Sequence, residues 1–232
     1  MRWHFYCLGC SQRLDVNSLL LIIHWKLLID MKLGILGGTF DPIHLGHLLI
    51  AEITRESLGL AKVLFVPAGN PPHKQDVEKT SAVHRRRMVE LAISDNPYFE
   101  LCSIDLERPG PHYSVDTARL ICSRYQISAD DCFFIIGSDS LVDLPAWHQP
   151  AKLIEVCRLA VVHRPGYQAN LSDLAQIIPG LQQRIDWVEI PAVDFSSSTI
   201  RRKAAAGQSI RYQLPEAVRE YVVEHKLYEM IR

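Results

Sequence analysis

The chain has 232 residues, enough for one domain or one domain with a small appendage. Apolar residues make up 48% and charged residues 22%, ordinary for a soluble globular protein and sufficient for a sizeable core. Lys+Arg total 25 against 26 Asp+Glu, a net charge of −1, which excludes a global basic field that would draw nucleic acid or a membrane surface. Any anion site must therefore be built locally.

The first thirty residues stand apart. "SLLLIIHWKLLID" (18–30) is apolar but short, and it carries His24 and Lys26, so it does not make a membrane span. No small-residue cleavage site precedes Met31, so it does not read as a signal peptide. Cys7 and Cys10 form a single C-x-x-C with His4 nearby, which is weak support for zinc without a second pair. Residues 1–30 are read as an N-terminal extension and 31–232 as the folded domain. The six cysteines are scattered, which fits a reducing cytoplasm better than a disulfide scaffold.

From Met31 short apolar strands alternate with helical stretches. "KLGILGG" (32–38) is a strand ending in glycines. "HLGHLLIAEITRESLG" (44–59) has helical apolar spacing and a C-terminal stop at Gly59. "KVLFVPAG" (62–69) is a second strand, and "AVHRRRMVELAISDNP" (82–97) a helix ended before Pro97. Its "RRR" reads as a solvated face. "FELCSIDLER" (99–108) alternates like a strand, and "SVDTARLICSRYQ" (114–126) is a helix capped by Ser114. "DCFFIIGSDSL" (131–141) is a buried strand. A helix near 147–156, a strand at 158–165, a helix at 171–178 and a strand at 186–190 follow, then helices at 198–206 and 214–228. This order predicts an α/β fold: a doubly wound, Rossmann-like parallel sheet covered on both faces. Ligands then sit at the carboxyl ends of strands, near a switch in strand order.

The informative polar residues fall at those ends. In "GGTFDPIHLGH" (37–47), Gly37 and Gly38 permit close approach or a positive φ, and Asp41-Pro42 forces a turn. His44 and His47 lie three apart on one face of a helix start, where phosphate is attracted. A metal would need a third ligand, and no metal site is predicted. Arg201 follows the serine run Ser196–Ser198 at another helix start. Asp139 follows a buried strand and suits a ribose hydroxyl or a helix cap. Trp147 offers a flat platform, with core packing as its alternative, and Lys74 is either an anion partner or a surface lysine. G-x-G-x-x-G is absent, which argues against a nicotinamide-dependent oxidoreductase.

The opening motif resembles the H-x-G-H signature of the nucleotidyltransferase superfamily. Later blocks resemble, in order, the bacterial nicotinate-nucleotide adenylyltransferases: "NPPHK" (70–74), "YSVDT" (113–117), "IIGSDSL" (135–141) followed by Trp147, "HRPGY" (163–167) and "FSSSTIR" (195–201). The likeness runs from Met31 to about Tyr228. It implies an enzyme that transfers the adenylyl group of ATP to nicotinate mononucleotide, releasing pyrophosphate and forming deamido-NAD in NAD biosynthesis. Its partners would be those two substrates, with no nucleic acid or membrane and with room for a homo-oligomer, in the cytoplasm. Mg²⁺ would ride mainly on the ATP phosphates. The resemblance makes His44, His47 and Arg201 catalytic. It places Gly37, Gly38, Thr39, Phe40, Gly137, Asp139, Ser196, Ser197 and Ile200 with them at ATP. Thr39, Lys74, Tyr113, Ser114, Trp147 and Arg164 fall to the nicotinate nucleotide. Ser114 and Ser198 replace the family's common threonines and keep the hydroxyl, and Phe195 replaces an isoleucine. His112 replaces a serine beside the acceptor loop, which leaves nicotinamide mononucleotide or another phosphate acceptor as the alternative substrate; a non-catalytic nucleotide-binding module is the remaining one.

Overall fold

The computed structural model describes residues 31–69, 80–163, 170–191 and 194–229. The extension read at 1–30, Lys74 and Arg164 lie outside the described residues.

Six strands form one parallel sheet: β1 (Leu33–Gly38), β2 (Lys62–Pro67), β3 (Phe99–Leu101), β4 (Cys132–Gly137), β5 (Arg158–Val162) and β6 (Ile185–Val188). Their order is β3-β2-β1-β4-β5-β6, so the chain winds outward one way from β1 and then the other way from β4. The central strands are buried along almost their whole length because helices cover both faces, which is why they read as unbroken apolar runs. The edge strand β3 is only half-buried.

The register places the site. β1 pairs with β2 along its whole length, from Leu33↔Lys62 to Gly38↔Pro67. Between β1 and β4 the pairing covers only Leu33↔Cys132, Gly34↔Phe133 and Ile35↔Phe134. Beyond Ile35 the two strands part, and the crevice between their carboxyl ends lies where the strand order reverses.

The helices are α1 (Leu45–Leu58), α2 (Ala82–Ile93), α3 (Ile104–Glu107), α4 (Ser114–Tyr125), α5 (Ser138–Val142), α6 (Pro150–Val156), α7 (Leu171–Ile177), α8 (Ser197–Ala205) and α9 (Glu216–Glu224). Several differ from the sequence expectation. The strand read over 99–108 ends at Leu101, and α3 begins at Ile104. Its alternation was misleading because Asp105 turns inward, buried, to bond Thr117 and Arg108. Ser114 does not cap α4: Tyr113 is the N-cap residue and Ser114 the first helical one. The stretch near 147–156 divides into a 3₁₀ turn, Leu144–Ala146, and α6, which starts at Pro150. The strand at 131–141 stops at Gly137 and continues as α5.

Gly59 ends α1 as the sequence predicts, at φ 63° and ψ 39°, with its N–H turned back toward the carbonyls of Arg55 and Glu56. A Cβ there would meet nothing within 4 Å, so alanine adds only the left-handed penalty. Gly59→Ala is expected to cost about 1 kcal/mol in urea unfolding, with turnover unchanged.

Candidate active site

The parting of β1 and β4 opens a cavity of about 350 Å³, within the usual range for small-molecule sites. Leu36–Thr39 form one wall and Phe134–Gly137 the other. His47 lies in it toward α1, while Tyr113, Ser114, Trp147, His148 and Asp139 close the far side. Residues from five separate stretches of sequence thus meet around one hollow.

The two histidines of the motif stack face to face, ring centroids 3.7 Å apart and 21° from parallel. Two full positive charges at that spacing would repel by about 4 kcal/mol at an effective dielectric of ~20. The backbone N–H of His44 donates to Nδ1 of His47 at 3.2 Å. A neutral His47 then carries its proton on Nε2, a donor on a ring that lines the cavity. Phe40 meets the His47 ring edge-on at 5.1 Å.

Of the two uses read for the glycines, close approach is the one Gly38 shows, since a Cβ there would stand 3.0 Å from the Phe40 ring. Neither Gly37 nor Gly38 takes a positive φ; Phe40 does, at 50°. A buried, β-carbon-bearing residue in that region costs roughly 1–2 kcal/mol, held in place by full burial of its ring. Gly46 serves close approach: a Cβ there would stand 3.1 Å from both the His44 ring and the Phe195 Cβ. The start of α1 is also less open to anions than its position suggests. The Leu45 N–H is bonded to the Gln213 carbonyl and the His47 N–H to that of His44. Of the two imidazoles, that of His47 lines the cavity, while His44 is buried behind it.

Asp41, next to the histidines, is 4% exposed and acts as a hub. Its Oδ1 accepts from the Tyr228 hydroxyl at 2.7 Å and its Oδ2 from the Thr80 N–H at 3.2 Å. Its backbone carbonyl accepts from Arg201 Nη1 at 2.6 Å. The next carbonyl, Pro42, accepts from the Ser197 hydroxyl at 2.9 Å. The Asp41–Pro42 and Gly110–Pro111 bonds are cis. The bond to the Asp41 carbonyl fixes Arg201 with donors to spare, whereas Ser197 uses its hydroxyl hydrogen within the protein. Ser196 is the N-cap residue of α8, its Oγ 2.7 Å from that of Ser198. Ile200 is fully buried, and its N–H bonds the Ser196 carbonyl, so it packs the core beneath Arg201.

Sequence reasoning missed Arg85. Only Arg86 and Arg87 of the "RRR" run are solvated, paired with Glu90. Arg85 is 2% exposed and donates to the carbonyls of Thr39, Ala68 and Thr80. It ties the ends of β1 and β2 together. Burial pulls its pKa below the ordinary arginine value, and the neighbouring Asp41 opposes that shift. The signal was in the spacing: Arg85 shares the buried stripe of Met88, Val89, Ala92 and Ile93.

On the acceptor side, Trp147 meets Phe134 edge-on at 6.3 Å and remains partly exposed to the cavity. His148, also missed, stacks on Tyr113 at 4.0 Å. Below them Asp105 is buried, bridged to Arg108 at 2.9 Å and accepting from the Thr117 hydroxyl at 2.9 Å. His112 lines the cavity wall, its Nε2 donating to the Arg108 carbonyl at 3.0 Å. Among the described residues no three His, Cys, Asp or Glu side chains group to hold a metal, and no helix is long and apolar enough to cross a membrane.

Comparison with known proteins decides the family. The cytidylyltransferase-like family model matches residues 35–203. A probable nicotinate-nucleotide adenylyltransferase of Thermomicrobium roseum is 44% identical over 200 residues, covering 86% of this chain and 92% of its own. The chain belongs to the nicotinate-nucleotide adenylyltransferase family. A second relative of that name, from Roseiflexus, is 43% identical across 84% of this chain and 97% of its own. The fold matches that of Plasmodium falciparum nicotinic acid mononucleotide adenylyltransferase complexed with NaAD, with a TM-score of 0.69 at 20% identity, over 85% of this chain and 97% of that one. In family terms, the H-x-G-H element is the stacked pair at the crevice, and its glycine is the spacer between His44 and Phe195.

Two consequences can be measured. Gly46→Ala would push the His44 ring or Phe195 aside by a few tenths of an ångström. Turnover should fall by roughly tenfold, while unfolding free energy changes by less than about 1 kcal/mol, because alanine favours the helix. The second concerns Tyr228, whose hydroxyl is driven well above its ordinary value of 10.0, first by burial and then by the negative Asp41. A folded-state pKa raised in this way gives stability that is complete below the unfolded value and lost as pH rises past it. The stability advantage of the wild type over Tyr228→Phe should therefore shrink in urea titrations above about pH 10.

Proposed function

We propose that the crevice binds ATP and nicotinate mononucleotide together, with the residue roles set out below. The activity is that of the family: adenylyl transfer from ATP to nicotinate mononucleotide in NAD biosynthesis. The 5′-phosphate of nicotinate mononucleotide attacks the α-phosphorus of ATP. The bond to the bridging oxygen breaks, pyrophosphate leaves, and deamido-NAD forms. The attacking oxygen is already anionic, so no strong general base is needed; positioning and neutralisation of growing negative charge carry the reaction.

His47 donates from Nε2 to the phosphate chain, and His44 supports it from the stack. Arg201 takes the outer phosphates through the donors that Asp41 leaves unused. Ser196 and the first-turn N–H groups of α8 lie beside it. Thr39 and the glycines Gly37, Gly38 and Gly137 let the nucleotide lie against backbone, and Asp139 faces its ribose. Trp147 and the Tyr113–Ser114 turn receive the nicotinate half, with Lys74 and Arg164 as further anion partners. The described residues supply no cage of their own for a cation, and the polyphosphate fits that role. Mg²⁺ would therefore be held mostly by phosphate oxygens and water, neutralising charge on the leaving group.

One observation carries this reading: His47, Tyr113 and Trp147 line a single cavity at the switch in strand order. His112 in the same wall is the reason to test acid against amide. Nicotinate mononucleotide, nicotinamide mononucleotide and phosphopantetheine should compete in one pyrophosphate-release assay with ATP. The acid is expected to win, and equal or better use of the amide would reassign the acceptor. His47→Ala should lower turnover by more than tenfold in folded protein, since one preorganised contact to developing charge contributes about 2.7–4 kcal/mol.

A further inference from the structure

Arg201 is aimed by a carbonyl. Its Nη1 donates to the Asp41 backbone oxygen at 2.6 Å, while the Asp41 carboxylate, one short side chain away, faces elsewhere. That carboxylate is occupied on both oxygens, by the Tyr228 hydroxyl at 2.7 Å and the Thr80 N–H at 3.2 Å. The distinction matters chemically. A carbonyl fixes a guanidinium without cancelling its charge, whereas a carboxylate would neutralise it and compete with phosphate. Arginine has five N–H donors, so one bond to Asp41 leaves four for a polyphosphate. Holding one branch of a long side chain also removes rotamer freedom before the ligand arrives.

Tyr228 sits near the far end of the chain, beyond α9, and its backbone is held at φ 71°. A tyrosine in that region is strained, and the strain persists because the surrounding structure holds it. The buried guanidinium of Arg85 lies near enough to feel the charge of both Asp41 and Tyr228. Ser197 grips the Pro42 carbonyl, so the same turn is held to α8 at two successive carbonyls.

We propose that Tyr228 is a positioning residue for catalysis. Its hydroxyl holds the Asp41 carboxylate away from Arg201, so that Asp41 orients the guanidinium through its carbonyl and leaves its full charge for the polyphosphate of ATP. The proposal rests on the reading of Arg201 as a phosphate ligand. Loss of the hydroxyl frees Asp41 to pair with Arg201, which weakens ATP binding and turnover but leaves the nicotinate side alone.

The test is steady-state kinetics of wild type, Tyr228→Phe, Arg201→Lys and the double variant, with ATP and nicotinate mononucleotide each varied. Tyr228→Phe is expected to lower kcat/KM for ATP by about tenfold, with the KM for nicotinate mononucleotide within about twofold of wild type. In the Arg201→Lys background the same change should have less than about a twofold effect, because its route runs through the guanidinium. Equal losses in both backgrounds, or unchanged kinetics with only a lower melting temperature, would overturn the proposal. Should the phenylalanine protein fail to fold, Tyr228→Met reads the same route: it fills the site but offers Asp41 no donor. Its kcat/KM for ATP should fall by about tenfold in the wild-type background and by less than about twofold with Arg201→Lys, and equal losses in both backgrounds would count against the mechanism. Wild-type turnover in the same assay separates the two levels: its absence removes the underlying reading, whereas normal wild-type turnover with uncoupled variants removes only the role of Tyr228.

Discussion

Between β1 and β4 the paired register ends at Ile35↔Phe134, and the site exists because it ends there. Two central strands that stayed bonded to their tips would leave no room for a ligand between them. By parting, they expose Gly37 and Gly38 on one side and Phe134–Gly137 on the other. The pairing of β1 with β2 along its whole length and of β4 with β5 from Phe133 to Gly137 keeps each half of the sheet rigid while the crevice stays open. A hollow bounded by two rigid strand pairs is preorganised, which phosphate chemistry requires when positioning and neutralisation carry the reaction.

Charge at this crevice is arranged in two depths. At the cavity, His47 presents a donor whose tautomer is set by a backbone N–H. Behind it, Arg85 and Asp41 are buried near each other, each bonded to the chain. Arg85 fastens the carbonyls of Thr39 and Ala68, and so fixes the loops that leave β1 and β2. A buried cation stitching carbonyls is expensive to desolvate, and its return here is a turn whose geometry does not drift. Asp105 with Arg108 and Thr117 does similar work beneath Tyr113.

Much of this was legible in one dimension. The alternation of apolar strands and periodic helices gave the parallel sheet, and the motif blocks gave the family. Errors arose where a local pattern was overruled by a distant partner. Residues 99–108 alternate, but Asp105 is drawn inward by Thr117, twelve positions on. Ser114 has the chemistry of a cap, yet the helix starts on it. "RRR" looks uniformly solvated, but its first member falls on the buried stripe of α2, where three carbonyls await it.

The sequence by itself determined the residue types at the strand ends, the period of each element and the family these imply, because those depend on neighbours a few positions apart. Gly59 is one example, fixed by the αL turn that ends its own helix. Tertiary structure alone decided which donors remain for a ligand. Ser197 donates its hydroxyl hydrogen bond to the Pro42 carbonyl, Arg201 gives one branch to the Asp41 carbonyl, and Tyr228 reaches back 187 residues to hold that aspartate. A side chain's free hydrogen-bonding capacity is what remains after its spatial neighbours are satisfied, and those neighbours are set by how the sheet is wound.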